Sequence, residues 1–265
     1  MDWCDVGVNL FSEQYAKDRE QVVAHARAAG IQRQVLIASD LAECQHNLDW
    51  CQLHVDCSTT AGIHPHQASK AEPDWLQQLR RILTDNHIVA IGECGLDFNR
   101  NFSSQADQID IFSKQLQLAN EVNLPVYLHE RDAFDTQYQL LKDYGIKHGI
   151  AHCFTGDGTQ LKAYLDLGLY IGITGWLCDD RRNQALADAI AYLPLDRICL
   201  ETDAPYLLPR NLSPKPKSRR NEPAYLPAIA ERVAQLKGLS LHDVKAQCWQ
   251  NSVTLFNLER GTSWR

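Results

Sequence analysis

The sequence predicts a (β/α)8 TIM barrel followed by one additional C-terminal helix, and three observations carry that expectation. Eight strand-like apolar runs alternate with eight helical patterns, the order that builds a parallel sheet covered by helices. Polar residues with chemical potential close at least five of those runs and are spread along the whole chain. A closed barrel gathers all strand ends on one rim, whereas the rival doubly wound sheet would place its ligands at one crevice. The 265 residues also match the ~250 that such a barrel takes. No Ser/Gly-rich tract or long charge run divides the chain, so one domain over residues 1–265 is expected.

Residues 5–10 form the first expected strand, and a helical pattern over 18–29 ends at Gly30, a usual helix stop. Strand two spans 34–38 and its helix 41–54; strand three spans 58–63 and leads into His64-Pro65-His66, with a helix over 73–84. The stretch 88–98, Ile-Val-Ala-Ile-Gly-Glu-Cys-Gly-Leu-Asp-Phe, is strand four. Its opening run is continuous and mostly β-branched, which suits a parallel strand covered on both faces. It stops on Glu93 between two glycines that let another group approach the backbone. A helix over 103–122 precedes strand five at 125–128, which stops at His129; a helix over 133–144 follows. Strand six, 147–151, stops at His152 and precedes a helix over 158–167. Strand seven is 169–173 with a helix over 182–193, and strand eight is 197–200, stopping at Glu201-Thr202-Asp203. Helices over 224–237 and 241–257 complete the chain.

Composition excludes several functions. A formal charge of −7 argues against a protein that coats nucleic acid indiscriminately, because phosphate affinity comes from Lys and Arg. Nine cysteines without a Cys-x-x-Cys pair fit a reducing compartment rather than a disulfide framework. The start lacks the basic and apolar regions of a secretory signal, and the weakly polar run 167–178 is shorter than the ~20 residues of a membrane span. A cytoplasmic monomer with no membrane partner is expected.

Chemistry on a barrel is read at the C-terminal rim. A lone histidine after a strand is usually a hydrogen-bonded loop residue, the reading given to His25, His46, His54, His87, His148 and His242. His129 and His152 differ because each ends an apolar strand on the rim that Glu93 must occupy. Two imidazoles and a carboxylate hold a divalent metal with positions left open. Imidazole suits Zn, Mn, Fe or Co, whereas carboxylates and a phosphate substrate favour Mg or Mn. Glu201 and Asp203 lie two apart on a strand and share a face, so one can hold metal while the other moves protons. Asp203 is assigned as general base and Glu201 as its support. His64 and His66 could donate to a phosphate. The loop 209–223 concentrates Lys215, Lys217, Arg219 and Arg220 in an otherwise acidic chain, and arginine forks match phosphate oxygens. Arg131, Arg181 and Arg182 follow other strand ends and could join it. Cys94 and Cys153 each follow a proposed ligand, so alternation would turn them into the core. No lysine ends a strand, against Schiff-base chemistry, and no Gly-x-Gly-x-x-Gly supports a nucleotide cofactor.

The segments Ala-Gly-Ile-His-Pro-His at 61–66, Ile-Gly-Glu-Cys-Gly-Leu-Asp-Phe at 91–98, Leu-His at 128–129, His-Cys-Phe-Thr-Gly at 152–156, Glu-Thr-Asp-Ala-Pro-Tyr-Leu-Leu-Pro at 201–209 and Arg-Arg-Asn-Glu-Pro at 219–223 together resemble the TatD family of metal-dependent deoxyribonucleases, in order over nearly the whole chain. The resemblance implies an amidohydrolase-superfamily barrel with Glu93, His129 and His152 on the metal and Asp203 at the last strand. It implies magnesium, with manganese or zinc as alternatives, and 3′-5′ exonuclease action on single-stranded DNA and RNA, in repair or degradation. Much of the wider family ends strand one with His-x-His, where this chain has Gly7-Val8-Asn9. That departure points to the TatD proper branch and to one strong metal site. Two other readings compete: a metal-dependent hydrolase of a small amide or ester, which gives no reason for the basic loop, and a non-catalytic binding protein on a decayed barrel, which the intact acids and histidines oppose.

Overall fold

A computed structural model describes residues 2–258; residue 1 and residues 259–265 of the domain expected over 1–265 lie outside the described residues. Eight parallel strands follow one another around the sheet in chain order: β1 (Trp3–Val8), β2 (Ile31–Leu36), β3 (Cys57–Ala61), β4 (Ile88–Asp97), β5 (Val126–Arg131), β6 (Gly149–Ala151), β7 (Tyr170–Ile173) and β8 (Ile198–Leu200). Between and after them run α1 (Arg19–Ala28), α2 (Leu41–Leu53), α3 (Trp75–Ile82), α4 (Gln105–Val122), α5 (Phe134–Asp143), α6 (Gly158–Asp166), α7 (Gln184–Ile190), α8 (Leu226–Lys237) and the additional helix α9 (Leu241–Phe256). The circle is drawn together where the Val8–Ala204 bridge and the hydrogen bonds from Asn9 N to Ala204 O and from Asp203 N to Gly7 O join β1 to the chain leaving β8.

Local chemistry explains the element boundaries. Asp40, Ser104 and Ser240 accept backbone N–H groups at the starts of α2, α4 and α9, and Asp157 with Gln160 forms a capping box on α6. Such caps satisfy donors that the helix itself leaves unpaired. Alternate strand positions, among them Val6, Val35, Val89, Tyr127 and Cys199, pack with Val253, Leu255 and Phe256 of α9, which extends this cluster at the end of the chain. The larger apolar layer lies between strands and helices and includes Ile91, Phe112, Leu116 and Leu128.

Strand four spans Ile88–Asp97, close to the expected 88–98, and so runs on past the carboxylate at which its apolar run stops. Its pairing with β5 shifts register between Gly92 and Cys94, so Glu93 is the residue skipped. The close approach allowed by the glycines is that of the neighbouring strand: a Cβ on Gly92 (φ +145) would collide with Tyr127 O, and one on Gly95 (φ +138) with His129 O. The bulge re-aims one side chain without breaking the sheet. Glu93 N instead donates to Ala38 O at 3.1 Å.

Candidate metal centre

Glu93, His129, His152 and Asp203 converge on one point at the rim. Glu93 Oε1 lies 3.0 Å from His129 Nδ1 and 3.8 Å from His152 Nε2, and His152 Nε2 lies 3.9 Å from Asp203 Oδ1. All four line a cavity of about 1120 Å³. The outward nitrogens of both imidazoles are held from behind. His129 Nε2 is 3.4 Å from Asp97 Oδ2, and His152 Nδ1 is 2.8 Å from Glu201 Oε2. A carboxylate on the far nitrogen fixes the tautomer and leaves the near nitrogen's lone pair free for a metal.

The electrostatics are those of a site that trades protons for a cation. Burial favours a neutral Glu93, but His64, His129 and His152 hold its carboxyl well below the usual range. Burial works against the charged form of His152, yet Glu201, Glu93 and Asp203 overcome it and push the imidazole up to about 10. Asp97 and Glu93 likewise overcome burial and push His129 up to about 9. Asp203 is pushed up to about 7 by burial, with Glu93 and Glu201 opposing the pull of His152. Acids and imidazoles this crowded bind protons when nothing else neutralises them, and the donor set fits a divalent metal ion in their place.

Asp203 stands just beyond β8 with φ +52, a left-handed conformation that Asp tolerates better than most residues. Asn9 Nδ2 donates to its Oδ1 at 2.8 Å. That contact gives the strand-one departure a physical meaning. At Gly7 a Cβ would lie 2.5 Å from the Tyr127 hydroxyl and 2.7 Å from Glu201 Oε2, so an imidazole there would have to displace both. Glu201 itself is fully buried and does not line the cavity; its Oε2 accepts the Tyr127 hydroxyl at 2.7 Å and its Oε1 accepts Cys153 N at 2.5 Å.

His64 and His66 also line the cavity. The ring nitrogens of His64, His66 and His129 lie within 4.8 Å of one another, but those of His64 and His66 are already committed. His64 Nδ1 accepts His66 N at 3.1 Å, which leaves the proton on Nε2, 3.5 Å from Glu93 Oε1. Burial pushes His64 down to about 4, so it is a neutral donor facing the site. His66 Nε2 is taken by Asp97 Oδ2 at 2.6 Å.

Of the expected phosphate-binding cations, Arg131 lines the cavity and is joined by Arg100. Lys215, Lys217, Arg219 and Arg220 do not line it. Arg220 is committed elsewhere: its guanidinium reaches Asp18 Oδ2 at 2.7 Å and Glu222 Oε1 at 2.9 Å, tying the loop to the start of α1. Arg181 and Arg182 pair with Asp179. Cys94 is buried as expected, but Cys153 lines the cavity. Strand β6 ends at Ala151, so alternation no longer governs Cys153, whose φ of +45 turns it back toward the rim. Two residues of this centre escaped the sequence reading. Asp97 is four positions after Glu93 and Tyr127 two before His129; spacing by even numbers along a strand was the available signal.

Barrel, rim and donor set define a hydrolase whose site fits a divalent metal ion. The family model described as TatD related DNase matches residues 4–257, and the chain belongs to that family. Among curated relatives, the "3'-5' ssDNA/RNA exonuclease TatD" of Erwinia tasmaniensis is 47% identical over 257 residues, covering 96% of this chain and 99% of the relative. The protein of that name from Salmonella typhimurium is 46% identical, covering 96% and 98%. Among solved structures, a TatD homologue from Escherichia coli, YJJV, superposes with TM-score 0.88 at 27% identity, covering 96% of this chain and 98% of that one. A TatD family hydrolase from Entamoeba histolytica gives TM-score 0.88 at 25% identity, covering 97% and 98%.

Proposed function

We propose that the protein is a 3′-5′ exonuclease that hydrolyses phosphodiester bonds of single-stranded DNA and RNA with a divalent metal, magnesium foremost and manganese or zinc as alternatives. The observation that carries this reading is the pairing of the Glu93, His129, His152 and Asp203 centre with two arginines, Arg100 and Arg131, on the same cavity. Both are exposed, and neither has an ion-pair partner among the described residues. The names of the relatives point the same way.

In this reading Glu93, His129, His152 and Asp203 hold the metal, which supplies Lewis acidity toward the phosphodiester and the attacking water. Asp97 and Glu201 keep the two imidazoles in their ligating tautomers. Asp203, whose Asn9-bonded Oδ1 leaves Oδ2 unoccupied by that contact, takes the proton of the water. The neutral His64 donates to a non-bridging phosphate oxygen, with His66 beside it, and Arg100 and Arg131 orient the neighbouring phosphates. Lys215, Lys217 and Arg219, exposed on the late loop, add longer-range attraction. A small neutral amide or ester would use none of these cations. A reducing, cytoplasmic setting accords with nine unpaired cysteines, and among the described residues no helix is long and apolar enough to cross a membrane. Work as a monomer in nucleic-acid repair or degradation belongs to the same reading.

The test is incubation with 5′-labelled single strands and magnesium, manganese or chelator. A ladder that shortens from the 3′ end, and vanishes with chelator, is the expected result. Intact strands beside turnover of a small amide or ester would overturn the reading.

A further inference from the structure

The cations of the cavity stand on one side of it. Arg131 ends β5 and Arg100 follows β4, with Phe98 and Phe134 beside them, whereas Trp176 and Tyr206 follow β7 and β8, and no Lys or Arg lines the cavity on that side. The Trp176 indole is braced from one face by the guanidinium of Arg182, 3.8 Å from the ring centroid. That arginine is fixed by Asp179, whose Oδ2 lies 3.1 Å from its Nε. Tyr206 keeps 50% of its surface exposed, so its ring is open to a ligand. Its backbone is nonetheless pinned, with N donating to Asp203 O at 2.9 Å and O accepting Asn221 Nδ2 at 2.7 Å. The two loops are locked together, because a Cβ on Gly175 would collide with Leu207 O. An exposed ring and a partly exposed ring thus stand on stiff, adjoining loops beside Asp203.

We infer that Trp176 and Tyr206 form a nucleobase subsite, on which the unpaired bases next to the scissile phosphate stack while the backbone runs toward Arg100 and Arg131. This rests on the nuclease reading above and deepens it to a substrate requirement. In a duplex each base face is covered by its neighbours, so it offers nothing to these rings; a splayed single strand presents π faces on one side and phosphates on the other. Stacking on an aromatic tolerates every base and both sugars, so the subsite selects strandedness rather than sequence. Arg182 behind the indole enriches that platform with a fixed cation.

The test compares a twelve-nucleotide thymidine strand with an abasic strand of the same length and charge. Binding is read by fluorescence anisotropy in chelator, and degradation in magnesium. The wild-type protein should prefer the base-bearing strand by roughly 5- to 150-fold per stacked base. Trp176→Ala and Tyr206→Ala should each shrink that preference while leaving the salt slope of binding unchanged, and Trp176→Phe and Tyr206→Phe should restore it. Alanine variants that fold, as judged by circular dichroism, yet keep the wild-type preference would overturn the subsite. Should Trp176→Ala fail to fold, the half-exposed Tyr206 still decides the matter. A wild-type protein that degrades both strands alike overturns the subsite alone; one that neither binds nor degrades either strand overturns the nuclease reading with it.

Discussion

Glu201 Oε2 lies 2.8 Å from Nδ1 of His152, inside the barrel and away from the cavity lining. Its carboxylate therefore acts through the imidazole, holding the proton on Nδ1 so that Nε2 faces the site as a lone pair. Glu201→Gln keeps the size and can keep the Cys153 N–H contact, but its amide would donate to Nδ1 and drive the proton to Nε2. Metal affinity should fall by about 10- to 100-fold, the usual cost of losing such an outer partner. Calorimetric titration with manganese measures it directly. An unchanged affinity would mean that Tyr127, 2.8 Å from the same nitrogen, sets the tautomer instead.

Asp203→Asn probes the opposite side of His152. The amide keeps the shape and Asn9 can still donate to its oxygen, but it cannot accept a proton. We expect metal affinity to change by a few-fold only, while kcat drops by roughly 10²-fold or more, the scale of a lost general base. Collapse of metal affinity would instead make Asp203 chiefly a ligand.

How far these residues were legible in the sequence depends on which physical rule carried each. The eight alternations and the rim position of Glu93, His129, His152 and Asp203 follow from strand length and polarity pattern, which are local. Asp97 lay within the expected strand but was given no role, because its contacts with His66 and His129 are made across strands and are not local to the sequence. Asn9 was legible as a polar residue at the end of strand one, but not its partner. Its use as a donor to Asp203 depends on closure between β1 and the chain after β8, a contact 194 residues apart in sequence. Arg220 could not be separated from its loop neighbours, since its partner Asp18 lies just as far away in the chain.

Asp5 gives the fold a pH dependence separate from the metal centre. It is fully buried on β1 and accepts N–H from Gly7 at 3.2 Å and Thr202 at 2.9 Å, with Thr202 Oγ1 at 2.6 Å. Burial nevertheless pushes its carboxyl up to about 7 from an ordinary 3.8. The folded state thus binds a proton that the unfolded chain releases. The resulting stability is complete below pH about 4 and is lost as pH rises through about 7, a change on the order of a few kcal/mol. Urea midpoints at pH 5 and pH 8 should differ less in Asp5→Asn than in the wild type. The comparison is needed because Asp203, raised to about 7, and His129 and His152, raised to about 9 and about 10, also lose stabilising protons as pH rises. An equal pH dependence in both proteins would assign it to those three groups of the metal centre.

The basic loop should separate into a structural cation and a binding one. Arg220 is partly buried and bidentate on Asp18, with Nη1 at 2.9 Å from Oδ1 and Nη2 at 2.7 Å from Oδ2. Removing it strands two acids and costs roughly 1.5–3 kcal/mol, the range for hydrogen bonds to charged groups. Arg220→Ala should therefore lower the unfolding midpoint, and any effect on turnover follows from the loosened loop. Arg219 is exposed, with no side-chain partner among the described residues, so its alanine variant should leave stability within about 0.5 kcal/mol. Its effect belongs to long strands: the log-log salt slope of single-strand binding should flatten by about 0.7 if the guanidinium meets one phosphate. A dinucleotide, which spans only the metal centre and its nearest arginines, should bind as before. Unchanged salt dependence on long strands would confine phosphate recognition to Arg100 and Arg131 within the cavity.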